Sequence, residues 1–165
     1  MPKNIKSKTS STVITFTQAD LDQAKSAVDA DPTYGGEGNL IHDVFKKFPL
    51  NKDRLIVAMK VGLIDVTNST NLSKHKSKIP ISQLSDFIVG FKDLDTRIEK
   101  GDVMLIKELC QPLKGKNKIN LFSFSSKYCC YHNVFVYGGD AFSIYDTVLK
   151  DHIPDYTNEV SKYGL

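Results

Sequence analysis

The stretch Leu121-Phe122-Ser123-Phe124-Ser125-Ser126-Lys127-Tyr128-Cys129-Cys130-Tyr131-His132-Asn133 carries one charge, Lys127, among aromatic and small side chains. Its pattern predicts a helix over about 120–132 with the lysine partly buried in it. Burial disfavours an ammonium ion, so such a lysine can present a neutral amine, the form that Schiff-base chemistry requires. Nineteen residues on, Asp146 lies in Phe142-Ser143-Ile144-Tyr145-Asp146-Thr147-Val148-Leu149. A last helix is expected there, from near Ser143 past Leu149 to an end marked by Pro154. Free backbone amides and the helix dipole favour a carboxylate at such a start.

The rest of the chain reads as more helices with short connections. Thr17-Gln18-Ala19-Asp20 looks like a helix start, and the amphipathic run through Ala30 stops at Asp31-Pro32. Pro32 to Gly38, with three glycines, reads as a loop, followed by a short helix from Asn39 to Phe48 that ends at Pro49. Asn51 is expected to cap the next helix, with Asp53 in its first turn. Leu55, Ile56, Met59, Gly62 and Leu63 recur there at helical spacing and predict its buried stripe. A polar stretch, 66–77, separates it from a helix opened by Pro80 and carrying Leu84, Phe87, Ile88 and Phe91. Asp102 is placed as the cap of a segment from Val103 to Cys110 that closes at Pro112, before a lysine-rich turn over 114–118. Strand-like alternation is weak and confined to Val134–Tyr137. The expectation is an all-α chain of seven or eight helices, a single domain over 13–165 behind a disordered basic tail over 1–12.

Composition narrows the function classes. At 165 residues, 41% hydrophobic and 25% charged, the chain has a globular make-up and the length of one ordinary domain. No window approaches a membrane span, and Val13–Phe16 is too short for a signal-peptide core. Three cysteines, two of them adjacent, make a poor disulfide framework, so a reducing cytoplasm is the expected compartment. Cys129, Cys130 and His132 do not supply a zinc set, and no metal or cofactor is implied.

The net charge of +3 hides an uneven distribution. Between Asp65 and Asp86 stand three lysines and no acid, and between Glu108 and Asp140 four lysines and no acid. The remaining chain has 15 bases against 19 acids. Only Arg54 and Arg97 are arginines, so anion binding would rest on lysine point charges and backbone amides. Lys74, Lys76, Lys78 and Lys114, Lys116, Lys118 alternate with other residues in a way that suits phosphate contact, the plainer alternative being solvated loops. His132-Asn133 reads as a helix C-terminal cap or, alternatively, as a pocket wall touching substrate.

The order of Lys127, a turn, and Ile144-Tyr145-Asp146 at a helix start resembles the helix-hairpin-helix DNA glycosylases, above all the 8-oxoguanine DNA glycosylase group. The motif is similar, too, to small bacterial proteins of the same proposed fold. The likeness extends upstream through Ser69-Thr70-Asn71 and Asp95-Thr96-Arg97-Ile98 to Lys100-Gly101-Asp102, covering 40–150, with its motif-grade residues in the last third. The resemblance implies a helix-hairpin-helix glycosylase-like fold, DNA as partner and base excision with AP-lyase activity. Lys127 would attack C1′ of the damaged nucleotide and Asp146 would be the catalytic carboxylate. Tyr128, Tyr131 or Tyr145 would stack on a base, and His132 and Asn133 would line the site. The family's glycine hairpin before the lysine is missing: Phe124-Ser125-Ser126 stands in its place, and the nearest glycine is Gly115. Either the hairpin is 114–120 or the phosphate clamp is lost. Two alternatives follow: an inactive binding protein on the same scaffold, taking DNA, a nucleotide or a target protein as defence and counter-defence proteins do, or a helical interaction module with no nucleic-acid role.

Overall fold

Side-chain oxygens of Thr17 and Asp53 cap the starts of two helices of this chain. The computed structural model describes residues 15, 17–32, 34–75, 79–113, 119–146 and 149–151. Among them stand seven α-helices, one 3-10 turn and a helical stretch at 149–151, with no strand, so the all-α expectation holds. The helices are α1 (Gln18–Ala30), α2 (Tyr34–Lys47), α3 (Arg54–Asn68), α4 (Ile81–Val89), α5 (Leu94–Glu99), α6 (Met104–Leu109) and α7 (Phe122–Tyr137), with the 3-10 turn at Leu72–His75. Residue contacts group 28–145 into one compact unit, and 1–27 with 146–165 into another. The tail expected over 1–12 lies outside the described residues.

In the larger unit, α7 is the hub, packing against α2, α3, α5 and α6. A helix enclosed this way must be acceptable on nearly every side, which is why its sequence mixes aromatic, small and sulfur-bearing residues without a polar face. Phe124, Tyr128 and Cys129 join Phe45 of α2, Val57, Val61 and Ile64 of α3, Ile98 of α5 and Leu105 of α6 in one core. Leu121 N donates to Cys110 O at 2.9 Å, joining the residue before α7 to the residue after α6. Arg97 of α5 grips Glu108 of α6 through two hydrogen bonds of 2.9 and 2.7 Å, and Asp102 through a third.

Several local expectations are corrected. Asp53, not Asn51, caps α3, its Oδ1 accepting from Leu55 N and Ile56 N. The buried stripe of α3 is Val57, Lys60, Val61 and Ile64, whereas Leu55 is 75% exposed and Met59 lies at the surface. A lysine in the buried stripe breaks its apolar pattern and hands the sequence reading to the wrong face. Helix α2 starts at Tyr34, inside the expected loop; a Cβ on Gly35 would meet Asp29 O at 3.1 Å, so glycine admits this close approach. Helix α7 continues through the stretch with strand-like alternation and ends at Gly138, whose φ of 68° is the left-handed conformation that glycine adopts freely. His132 and Asn133 are therefore interior helix residues, not a cap. Asn133 instead holds the following segment: its Nδ2 donates to Ile98 O at 2.8 Å and its Oδ1 accepts from Ala141 N at 3.1 Å.

In the smaller unit, α1 opens with a reciprocal cap. Thr17 N donates to Asp20 Oδ2 at 2.8 Å and Asp20 N to Thr17 Oγ1 at 3.3 Å. Residues 149–151 are helical, while 143–146 are not, so the last helix starts later than expected. Asp146 Oδ1 accepts from Leu149 N at 2.9 Å, the carboxylate-to-amide bond that the sequence placed at a helix start.

Candidate functional site

Lys127 lies in the second turn of α7 and is 5% exposed. Its Nζ donates to Asn68 O at 3.4 Å and to Ser123 Oγ at 3.3 Å, both neutral acceptors. Asn68 ends α3, where carbonyls lack intrahelical partners. Tyr131, one turn further along α7, donates its hydroxyl to Asn68 Oδ1 at 2.6 Å. Beside the lysine, Ser126 Oγ accepts from Tyr145 N at 3.0 Å and lies 3.3 Å from Tyr145 O. The Tyr145 ring meets Phe122 edge to face at 5.2 Å.

A second cluster sits where the start of α3 meets α5 and α7. Lys60 is fully buried. Its Nζ lies 3.2 Å from Asn51 Oδ1, 3.4 Å from Leu50 O and 3.0 Å from His132 Nε2, and 5.1 Å from the centre of the Phe45 ring. Tyr128 OH donates to Asn51 Oδ1 at 2.6 Å, and His132 Nε2 lies 3.0 Å from the same oxygen. Asn51 in turn donates its Nδ2 to Asp95 Oδ1 at 2.7 Å and its backbone N to Asp95 Oδ2 at 3.3 Å. Burial lowers Lys60 to about 8, partly countered by the Asp95 carboxylate. Burial, with Lys60 nearby, holds His132 well below the usual imidazole range. Burial also pushes the Tyr128 phenol well up, with Asp95 adding to it.

Asn51 and Asp95 form part of the wall of a cleft of about 510 Å³, together with Tyr137, Phe91, Glu99 and Lys52. Asp93, Asp95 and Glu99 outnumber Lys52 there, so the cleft repels phosphate rather than attracting it. Sequence reading missed this cluster, although its signal was present. Lys60 is the one charge between Arg54 and Asp65, the same pattern that singled out Lys127.

The expected nucleic-acid residues divide. Tyr128, His132 and Asn133 are interior, with relative exposures of 0%, 0% and 1%, so none offers a surface for stacking or base contact. Tyr145 is half-buried and Lys74 exposed. Lys76, Lys78, Lys114, Lys116 and Lys118 lie outside the described residues, as does the turn expected over 114–118. The cysteines 110, 129 and 130 are free, and burial raises each thiol, Cys129 to about 12. Among the described residues no group of three or more His, Cys, Asp or Glu could hold a metal, and no helix is long and apolar enough to cross a membrane.

The fold and its interior thus define an all-helical unit whose central helix carries buried lysine, tyrosine and histidine. The chain belongs to the HI_0787 N-terminal domain family, whose model matches residues 19–136. That span contains Asn51, Lys60, Asp95, Lys127 and His132 and stops before Asp146. The chain is similar to an uncharacterised protein of Haemophilus influenzae, 33% identical over 102 residues that make up 62% of this chain and 48% of that protein. It spans about half the length of this curated relative. No solved structure matches.

Proposed function

We propose that this chain is a DNA-binding protein of the helix-hairpin-helix glycosylase kind, with Lys127 as a Schiff-base nucleophile and Asp146 as its catalytic carboxylate. The observation that carries the reading is the Lys127 amine, buried on α7 and bonded to two neutral acceptors at 3.3–3.4 Å. Long bonds to neutral groups leave the amine available for exchange, as a nucleophile must be.

In this reaction the deprotonated amine attacks C1′ and the base leaves with a proton. The sugar ring opens to an imine, and β-elimination then breaks the 3′ phosphate bond. Asp146 acts as a carboxylate that stabilises positive charge at C1′ or takes the proton from the attacking amine. Borohydride reduces the imine to a stable secondary amine, so trapping on DNA with an abasic site tests the proposal. A covalent protein–DNA adduct that disappears in Lys127→Ala supports it. Absence of an adduct, with no base release from modified duplexes, overturns it.

A second reading keeps the scaffold without the chemistry: a binding protein for DNA, a nucleotide or a protein target. The 5% exposure of Lys127 favours it, because a nucleophile so enclosed needs the site to open. Under this reading no adduct forms, and DNA affinity falls with salt in proportion to the number of lysine–phosphate contacts.

A further inference from the structure

Three groups able to donate converge on Asn51 Oδ1: Tyr128 OH at 2.6 Å, His132 Nε2 at 3.0 Å and Lys60 Nζ at 3.2 Å. A carbonyl oxygen has two lone pairs. Lys60 Nζ and His132 Nε2 also stand 3.0 Å apart, so one of them must accept from the other. Two proton arrangements meet this condition best, since a neutral amine donating to Nε2 would keep an unpartnered N–H on Nδ1. In the first, Lys60 is an ammonium that donates to His132 Nε2 and to Asn51 Oδ1, and the neutral imidazole carries its proton on Nδ1. In the second, Lys60 is an amine that accepts from Nε2–H, and Nδ1 is bare.

The arrangements differ by a single proton, released from the pair to solvent. They also differ in what happens at His132 Nδ1, which is buried and has no hydrogen-bond partner among the described residues. The first leaves an unsatisfied N–H there and the second only an unused lone pair. Orphaned buried N–H groups are the rarer and costlier kind. Hydrogen bonding thus favours giving the proton up, while acidity of the medium favours keeping it.

We propose that Lys60 and His132 form a proton-linked tautomer switch, in which loss of the Lys60 proton moves the imidazole proton from Nδ1 to Nε2 and alters the hydrogen bonding of Asn51 in the cleft wall. The groups facing the pair come from three helices and one loop. Phe45 of α2 offers its ring to the ammonium, Asp95 of α5 favours the charged form through Asn51, and Tyr128 of α7 shares the acceptor oxygen. The Leu50 carbonyl of the loop favours a donor on Lys60. Burial outweighs these, placing the lysine's release of its proton near pH 8. His132 stays neutral through the change. The consequence reaches the cleft because Asn51 Nδ2 holds the Asp95 carboxylate.

Long-range proton–nitrogen correlation spectra of the full chain labelled with 15N-histidine read the two ring nitrogens directly. Between about pH 6.5 and about pH 9.5, His132 is expected to pass from protonated Nδ1 to protonated Nε2 with one midpoint near 8. The Asn51 side-chain amide is expected to shift with the same midpoint. A single tautomer throughout, or a doubly protonated His132 at the acid end, overturns the proposal. In Lys60→Met the ring is expected to hold Nε2–H at every pH, and a persisting tautomer change in that variant overturns the proposal too. The wild-type series decides the matter even where the variant does not fold.

Discussion

Replacing Lys60 by methionine should make the protein more stable near neutral pH. Burial moves this lysine from 10.5 to about 8, and each unit corresponds to about 1.36 kcal/mol. Keeping the side chain charged in the interior at pH 7 therefore costs about 3 kcal/mol. Methionine fills similar space without charge, and Asn51 Oδ1 keeps Tyr128 and His132 as donors. Lost contact with the Phe45 ring and the Leu50 carbonyl offsets part of the gain, leaving about 1–2 kcal/mol. The pH dependence follows from the sign of the shift. Between about 8 and 10.5 the unfolded chain holds the lysine proton and the folded chain has released it, so the lysine's contribution to stability rises with pH across that window. The buried thiols work the other way at alkaline pH, because the folded chain keeps protons that the unfolded chain loses. Both proteins share the thiols, so the difference between them isolates the lysine. Urea unfolding followed by helical circular dichroism at pH 7 and pH 9 measures it. The advantage of Lys60→Met should shrink by about 1 kcal/mol on going to pH 9. A variant about 1 kcal/mol or more less stable than wild type at pH 7, or a difference that ignores pH, would mean that the buried charge does not destabilise the fold.

Three other outcomes follow from the packing. Asp53→Ala removes the two amide bonds at the start of α3 and should cost about 1 kcal/mol in urea unfolding, most of it restored by Asp53→Asn. Gly139→Ala should cost about 1–3 kcal/mol, since its Cβ would stand 2.5 Å from Asn133 Oδ1, an atom already held by Ala141 N. Thiol labelling at pH 8 should be slow for Cys110 and Cys129 in the folded protein and fast for all three cysteines in urea, because burial raises the thiols and excludes reagent.

The parts of the fold legible in the sequence are those written in local chemistry. Thr17 with Asp20, Asp102 before α6 and Asp146 before residue 149 all act as the amide acceptors that their positions suggested. Local chemistry could not show which face of α3 turns inward. Leu55, Met59 and Val66 are apolar and exposed, while the inner face includes a lysine whose partners lie 9 and 72 residues away. His132 and Asn133 looked like a helix end because their side chains suit one. Only the packing of α2 and α5 around α7 shows that both are enclosed and bonded across the unit. Lys127 was legible for the reason that Lys60 should have been, a lone charge in an apolar helix.

If Lys127 is the proposed nucleophile, its amine forms a covalent bond with the sugar of an abasic site. Mass-spectrometric mapping of the borohydride-reduced adduct tests it at the level of the atom. One modified peptide is expected, carrying the reduced sugar on Lys127 and lost in Lys127→Ala with the fold intact. An adduct mapped to Lys60, to Lys74 or to the chain's amino terminus would contradict it, as would a folded wild-type protein that yields no adduct at low salt.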